Sequence, residues 1–188
     1  MNFKVLLIVC FIFFSFKKLY SQTYIDSIIK SEFYFDEKAV IGKEFCVFES
    51  TTLKNEPISN TSLVGKITIV NLWFEGCAPC IVELEALINL FNKYNSNNSF
   101  QFFSFTIDDE EVARKAVNKY EIPYIVSSIS SVLAHKMNFN KGFPTNMIIS
   151  KEGKIIYYKG GGYLEKTKAE IQIAEMDEII SRLLREMK

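Results

Sequence analysis

The sequence predicts an α/β layered domain, and three observations lead there. From residue 67 onward, apolar strand patterns alternate with helical patterns. The series closes with two strands, 145–150 and 154–159, turned by Glu152-Gly153, and then with a long amphipathic helix. The most apolar strand, 67–74, runs straight into Cys77-Ala78-Pro79-Cys80 at the start of a helix.

Each element has its own signal. Residues 43–49 read as a strand and Leu53-Lys54-Asn55-Glu56-Pro57 as a turn. Ile67-Thr68-Ile69-Val70-Asn71-Leu72-Trp73-Phe74 is a near-continuous apolar run, the pattern of a strand buried on both faces. A helix follows over about 79–94, with Leu84, Leu87, Ile88 and Phe91 on one face, and the Asn/Ser-rich stretch 95–99 ends it. Residues 100–107 form the next apolar strand. Asp108-Asp109-Glu110-Glu111 then caps a helix reaching Tyr120, with acids in the first turn, where the helix dipole favours them. Pro123 breaks it before a short strand, 124–126, and residues 130–137 suggest another short helix. Gly160-Gly161-Gly162 ends the last strand. Ile173, Met176, Ile180, Leu183 and Leu184 mark the buried face of a closing helix over 164–187.

The N-terminus stands apart from this domain. One early lysine precedes the apolar run 5–16, and Ser21 offers a small residue before Gln22, the layout of a secretory signal peptide over residues 1–21. The apolar run is shorter than the roughly 20 residues that a spanning helix needs, although an uncleaved anchor is the alternative. The predicted organisation is a signal peptide at 1–21, a lead-in at 22–38 and one domain at 39–188. Cleavage would remove Lys4, Lys17 and Lys18 and no acid, leaving 19 basic against 22 acidic residues. So balanced a chain carries no field that would favour nucleic acid. Three cysteines would remain, Cys46, Cys77 and Cys80, too few for a disulfide scaffold. One pair and one odd thiol fit a working site better.

Cys77 and Cys80 are spaced to close and reopen a small disulfide. The same spacing suits half of a zinc site, but no second Cys-x-x-Cys or His pair is present to complete four ligands. Copper delivery by two thiols and the lone His135, with Met137 nearby, is a further reading, as is a non-catalytic binding module.

The residues also carry a resemblance. Gly65-Lys66-Ile67-Thr68-Ile69-Val70-Asn71-Leu72-Trp73 followed by Cys77-Ala78-Pro79-Cys80 resembles the TlpA-like branch of the thioredoxin superfamily. Gly142-Phe143-Pro144-Thr145 with Lys151-Glu152-Gly153-Lys154 is similar to that family's cis-proline loop and hairpin, and Ile41-Gly42-Lys43-Glu44-Phe45 to its usual entry. The resemblance implies a thioredoxin-like three-layer fold: a central mixed sheet flanked by helices, with an N-terminal strand extension and an extra strand-helix insertion. It implies an exported or membrane-tethered thiol-disulfide oxidoreductase of the bacterial periplasm or cell envelope, with no cofactor beyond the redox-active disulfide.

The implied partners are protein disulfide substrates and a membrane thiol electron donor, with the chain itself a monomer. Cys77, at the positive helix end, is expected to attack and Cys80 to resolve, while Glu83 handles the proton. The substrate surface is expected to comprise Phe143, Pro144, Trp73 and Gly76. Gly76 departs from the family pattern, which has Trp before the first cysteine; its loss opens the rim of the site.

Overall fold

The structure is a computed structural model and describes residues 36–187. Among these residues there are seven strands and four α-helices, and from residue 67 onward their order follows the predicted alternation. A 3-10 turn, Glu37–Val40, leads to a small antiparallel hairpin of β1 (Glu49–Thr51) and β2 (Pro57–Ser59). After a second 3-10 turn, Asn60–Leu63, come β3 (Ile67–Trp73), α1 (Ala78–Tyr94), β4 (Phe100–Thr106) and α2 (Glu110–Lys119). β5 (Ile125–Ser128), α3 (Ser131–Met137), β6 (Thr145–Ile149), β7 (Ile155–Gly160) and α4 (Lys166–Glu186) complete the order.

Five strands form one mixed sheet in the order β5-β4-β3-β6-β7. β3 pairs parallel with β4, and β4 with β5; β6 pairs antiparallel with β3 on one side and with β7 on the other. Every residue of β3 is buried, as its unbroken apolar pattern requires of a central strand covered on both faces. On one face Ile69, Trp73, Phe102 and Ile148 share a core with Leu84 and Leu87 of α1, Ala113 and Ala116 of α2, and Ile173, Met176 and Ile180 of α4. On the other, Phe105 meets Phe48 edge to face at 5.5 Å.

One predicted element is corrected. Residues 43–49 do not form a strand; within that stretch Glu44 makes a single bridge to Lys154, and the strand proper starts at Glu49. The segment does run beside the sheet edge, where the Phe45 N–H donates to the Gly153 carbonyl and the Ile155 N–H to the Lys43 carbonyl. Its apolar residues therefore serve as a cover: Phe45 and Phe48 are buried while Val47 points outward. The predicted signal peptide lies outside the described residues.

The register of the sheet places the site. Asn71, in the middle of β3, stands opposite Ser104 of β4 on one side and opposite Asn146 of β6 on the other. Three buried polar side chains thus form a row across the middle of the sheet.

Candidate active site

α1 begins at the C-terminal end of β3. Cys77 is its N-cap, in extended conformation, and the Sγ accepts the Cys80 N–H at 3.3 Å; Pro79 occupies a first-turn position that needs no N–H donor. Cys77 and Cys80 are joined as a disulfide, with S–S 1.96 Å and Cα–Cα 5.2 Å. Both are nearly buried, at 5% and 3% exposure, with Gly76 and Ala78 exposed around them. The helix end supplies unpaired N–H groups and partial positive charge beside Cys77, the setting that favours a thiolate.

The loop between β3 and α1 is tied down by a residue that the sequence reading assigned to a helix cap. Asp109 is the N-cap of α2, accepting the Val112 N–H at 2.9 Å. Asp108 instead reaches across, its Oδ2 accepting the Glu75 N–H at 2.7 Å and the Thr106 hydroxyl at 2.9 Å. Lys119 then pairs with the Glu75 carboxylate at 2.9 Å. An acid that precedes an N-cap while following a strand end was the available signal.

Glu83 lies one turn beyond Cys80 and is 1% exposed. Its Oε1 accepts the Asn146 amide at 2.9 Å and, more distantly, the Asn71 amide at 3.4 Å. Burial pushes its proton affinity up, to a pKa of about 8, and the two amide donors hold it back from rising further. It is not a solvated helix acid. The sequence reading missed Asn146 and Ser104; each is one of several polar residues in its strand, so neither stood out in the pattern.

The Phe143–Pro144 peptide bond is cis. Gly142 before it has φ +83°, a left-handed conformation suited to glycine, and its carbonyl accepts both the Thr145 hydroxyl and the Asn138 amide at 2.8 Å. Phe143 is half-buried and packs edge-on against Phe74 at 5.4 Å and against exposed His135 at 6.0 Å. Gly162 completes the rim. A Cβ built there would lie 2.6 Å from Pro144 Cγ and 3.2 Å from Pro79 Cβ, so this glycine touches both the proline loop and the cysteine turn. The sequence reading gave the glycine triplet only a sheet-ending role.

Of the four expected substrate-contacting residues, Phe143 and Gly76 border the exposed rim, and Pro144 lies beneath Gly162. Trp73 sits elsewhere: it is 3% exposed, inside the core with Cys77 and Cys80, because every β3 side chain is covered. It backs the disulfide and offers no surface to a substrate. Cys46 is half-buried, its thiol pushed up by burial. His135 belongs to no cluster of three or more potential metal ligands among the described residues.

The Redoxin family profile matches residues 40–177, most of the chain. The chain belongs to the redoxin family. A relative, thiol-disulfide oxidoreductase ResA of Bacillus cereus, is 29% identical over 140 residues, covering 72% of this chain and 77% of its own length. Two solved structures share the fold. A thiol:disulfide interchange protein of the thioredoxin family from Chlorobium tepidum superposes with TM-score 0.61 at 22% identity, over 76% of this chain and 97% of its own. A thiol:disulfide interchange protein from a Bacteroides species gives TM-score 0.62 at 20% identity, over 75% and 90%. This redoxin is a thiol-disulfide oxidoreductase, and Cys77 and Cys80 form the disulfide pair in its structure.

Proposed function

We propose that this redoxin reduces protein disulfides outside the cytoplasm, with Cys77 attacking, Cys80 resolving and Glu83 exchanging the proton. The observation that carries the reading is the buried carboxyl of Glu83 one turn past Cys80, with a pKa of about 8. A group of that affinity lies close to a thiol's ordinary value of about 8.5, so a proton passes between them near neutral pH without a large penalty.

In the reduced protein the Cys77 thiolate attacks a substrate disulfide. A Cys77–substrate bond forms and one substrate sulfur leaves as thiolate. Glu83 takes the proton from the Cys80 thiol, whose sulfur then attacks Cys77 and releases the second substrate sulfur. Two electrons pass to the substrate, and the Cys77–Cys80 disulfide closes. An external dithiol, carried by a membrane protein, must reopen it for the next cycle. The half-buried Phe143 and the exposed, side-chain-free Gly76 form the rim along which an extended polypeptide would lie. A monomer is sufficient for this cycle. The apolar leader-like segment before residue 22 supports export to the cell envelope.

The roles separate by mutation. Cys80→Ser accumulates mixed disulfides through Cys77, visible as adducts on non-reducing gels and by mass, while Cys77→Ser neither turns over nor traps substrate. Equal trapping by both variants contradicts the assignment.

A further inference from the structure

We propose that Asn146 is a positioning residue of the redox site: it holds Glu83 Oε1 and leaves Oε2 as the oxygen that carries the exchangeable proton. The inference rests on the proton-exchanging role proposed for Glu83.

Its basis is a directional row of hydrogen bonds across the sheet. The Ser104 hydroxyl donates to Asn71 Oδ1 at 3.1 Å. With its oxygen occupied, Asn71 turns its amide nitrogen the other way, donating to Asn146 Oδ1 at 2.9 Å and to Glu83 Oε1 at 3.4 Å. Asn146, its own oxygen now accepting, has only its amide nitrogen to offer, and that donates to Glu83 Oε1 at 2.9 Å. All four residues are buried, at 2% exposure or less, so an unmade bond here would be costly and the orientations are set. An oxygen that accepts two N–H groups is the poorer place for a proton. The neutral acid therefore carries it on Oε2.

Asn146 also favours the ionised form, because an N–H donor is worth more to a carboxylate than to a neutral acid. The titratable groups that face Glu83 do not replace it. On the helix of Glu83 itself, Cys80 stands one turn before it, with Cys77 at the N-cap, and both titrate only when the disulfide is open. Tyr124, just before β5, and Tyr157, on β7, both feel the Glu83 charge, and burial pushes both phenols up, so they keep their protons through the working range. Glu37 and Glu175 act on Tyr157.

The test is the pH dependence of glutathione-disulfide reduction by the full reduced chain, read for wild type, Asn146→Leu, Glu83→Gln and the double variant. Asn146→Leu is expected to move the limb that reports Glu83 upward by about one pH unit, and to move nothing in the Glu83→Gln background. Should the leucine variant fail to fold, Asn146→Asp keeps the shape, replaces the donor with an oxygen and shifts the limb the same way. A limb that stays in place in the folded Asn146 variants, while Glu83→Gln abolishes it, overturns the role of Asn146 alone. If Glu83→Gln leaves the limb unchanged, the proton-exchange reading falls and this inference with it.

Discussion

Burying a carboxyl group without a cation beside it makes ionisation expensive, and in Glu83 that expense is measurable as stability. The unfolded chain releases this proton near the ordinary value of 4.5, whereas the folded chain keeps it up to about 8. Between those values the folded state binds the additional proton, so stability falls as pH rises through the window. The loss is complete above about pH 8 and on the order of 5 kcal/mol. Glu83→Gln removes the dependence: urea unfolding of the oxidised protein should show the variant gaining on wild type at pH 9 but not at pH 5. A difference that is the same at both values contradicts the raised affinity. The neighbouring amides were hard to read from the chain alone. Asn71, Ser104 and Asn146 are not the sole polar residues of their strands, which also hold Thr68, Gln101, Thr106 and Thr145, and only the register of β3 against β4 and β6 puts them in one row.

Three loops from distant parts of the chain meet at the disulfide: the β3–α1 turn, the proline loop before β6 and the glycine segment after β7. Gly162 is where they touch. Its backbone is outside the left-handed region, so an added methyl group acts by contact alone, against Pro144 and Pro79. Gly162→Ala is expected to cost about 1–3 kcal/mol by overpacking and to lower disulfide-reductase activity more than tenfold by shifting the proline loop. Denaturant unfolding and insulin reduction check both; unchanged activity at wild-type stability would mean that the loop has slack. At this scale the sequence was informative about elements. From residue 67 onward the apolar strand patterns, the Pro123 break and the helix faces correspond to observed elements. Residues 43–49 failed because an apolar segment that covers a sheet edge has the same pattern as one that joins it. Asp108 failed because acids before a helix resemble caps, and its bond to the Glu75 backbone depends on how β4 ends beside β3.

For the whole molecule, the central sheet serves as a frame. β3 carries the cysteine pair at its end, and β6 begins just after the cis proline, with β3 and β6 adjacent in the sheet. That adjacency brings residues far apart in the chain into one site, and it explains why the cysteine and proline motifs were legible while their connection through Gly162 and Asn146 was not. The ion pairs at the surface are exposed and contribute little individually, so the molecule depends on its apolar core for rigidity. No helix among the described residues is long and apolar enough to cross a membrane. The central claim is that the Cys77–Cys80 pair cycles as a dithiol reductant. It is tested most directly by equilibrating the purified protein against thiol buffers of graded potential and counting alkylated cysteines by mass. The account predicts one two-electron transition, confined to Cys77 and Cys80, near roughly −250 mV or below. A pair that does not cycle, or one whose transition lies near about −120 mV as in a strong oxidant, would contradict it.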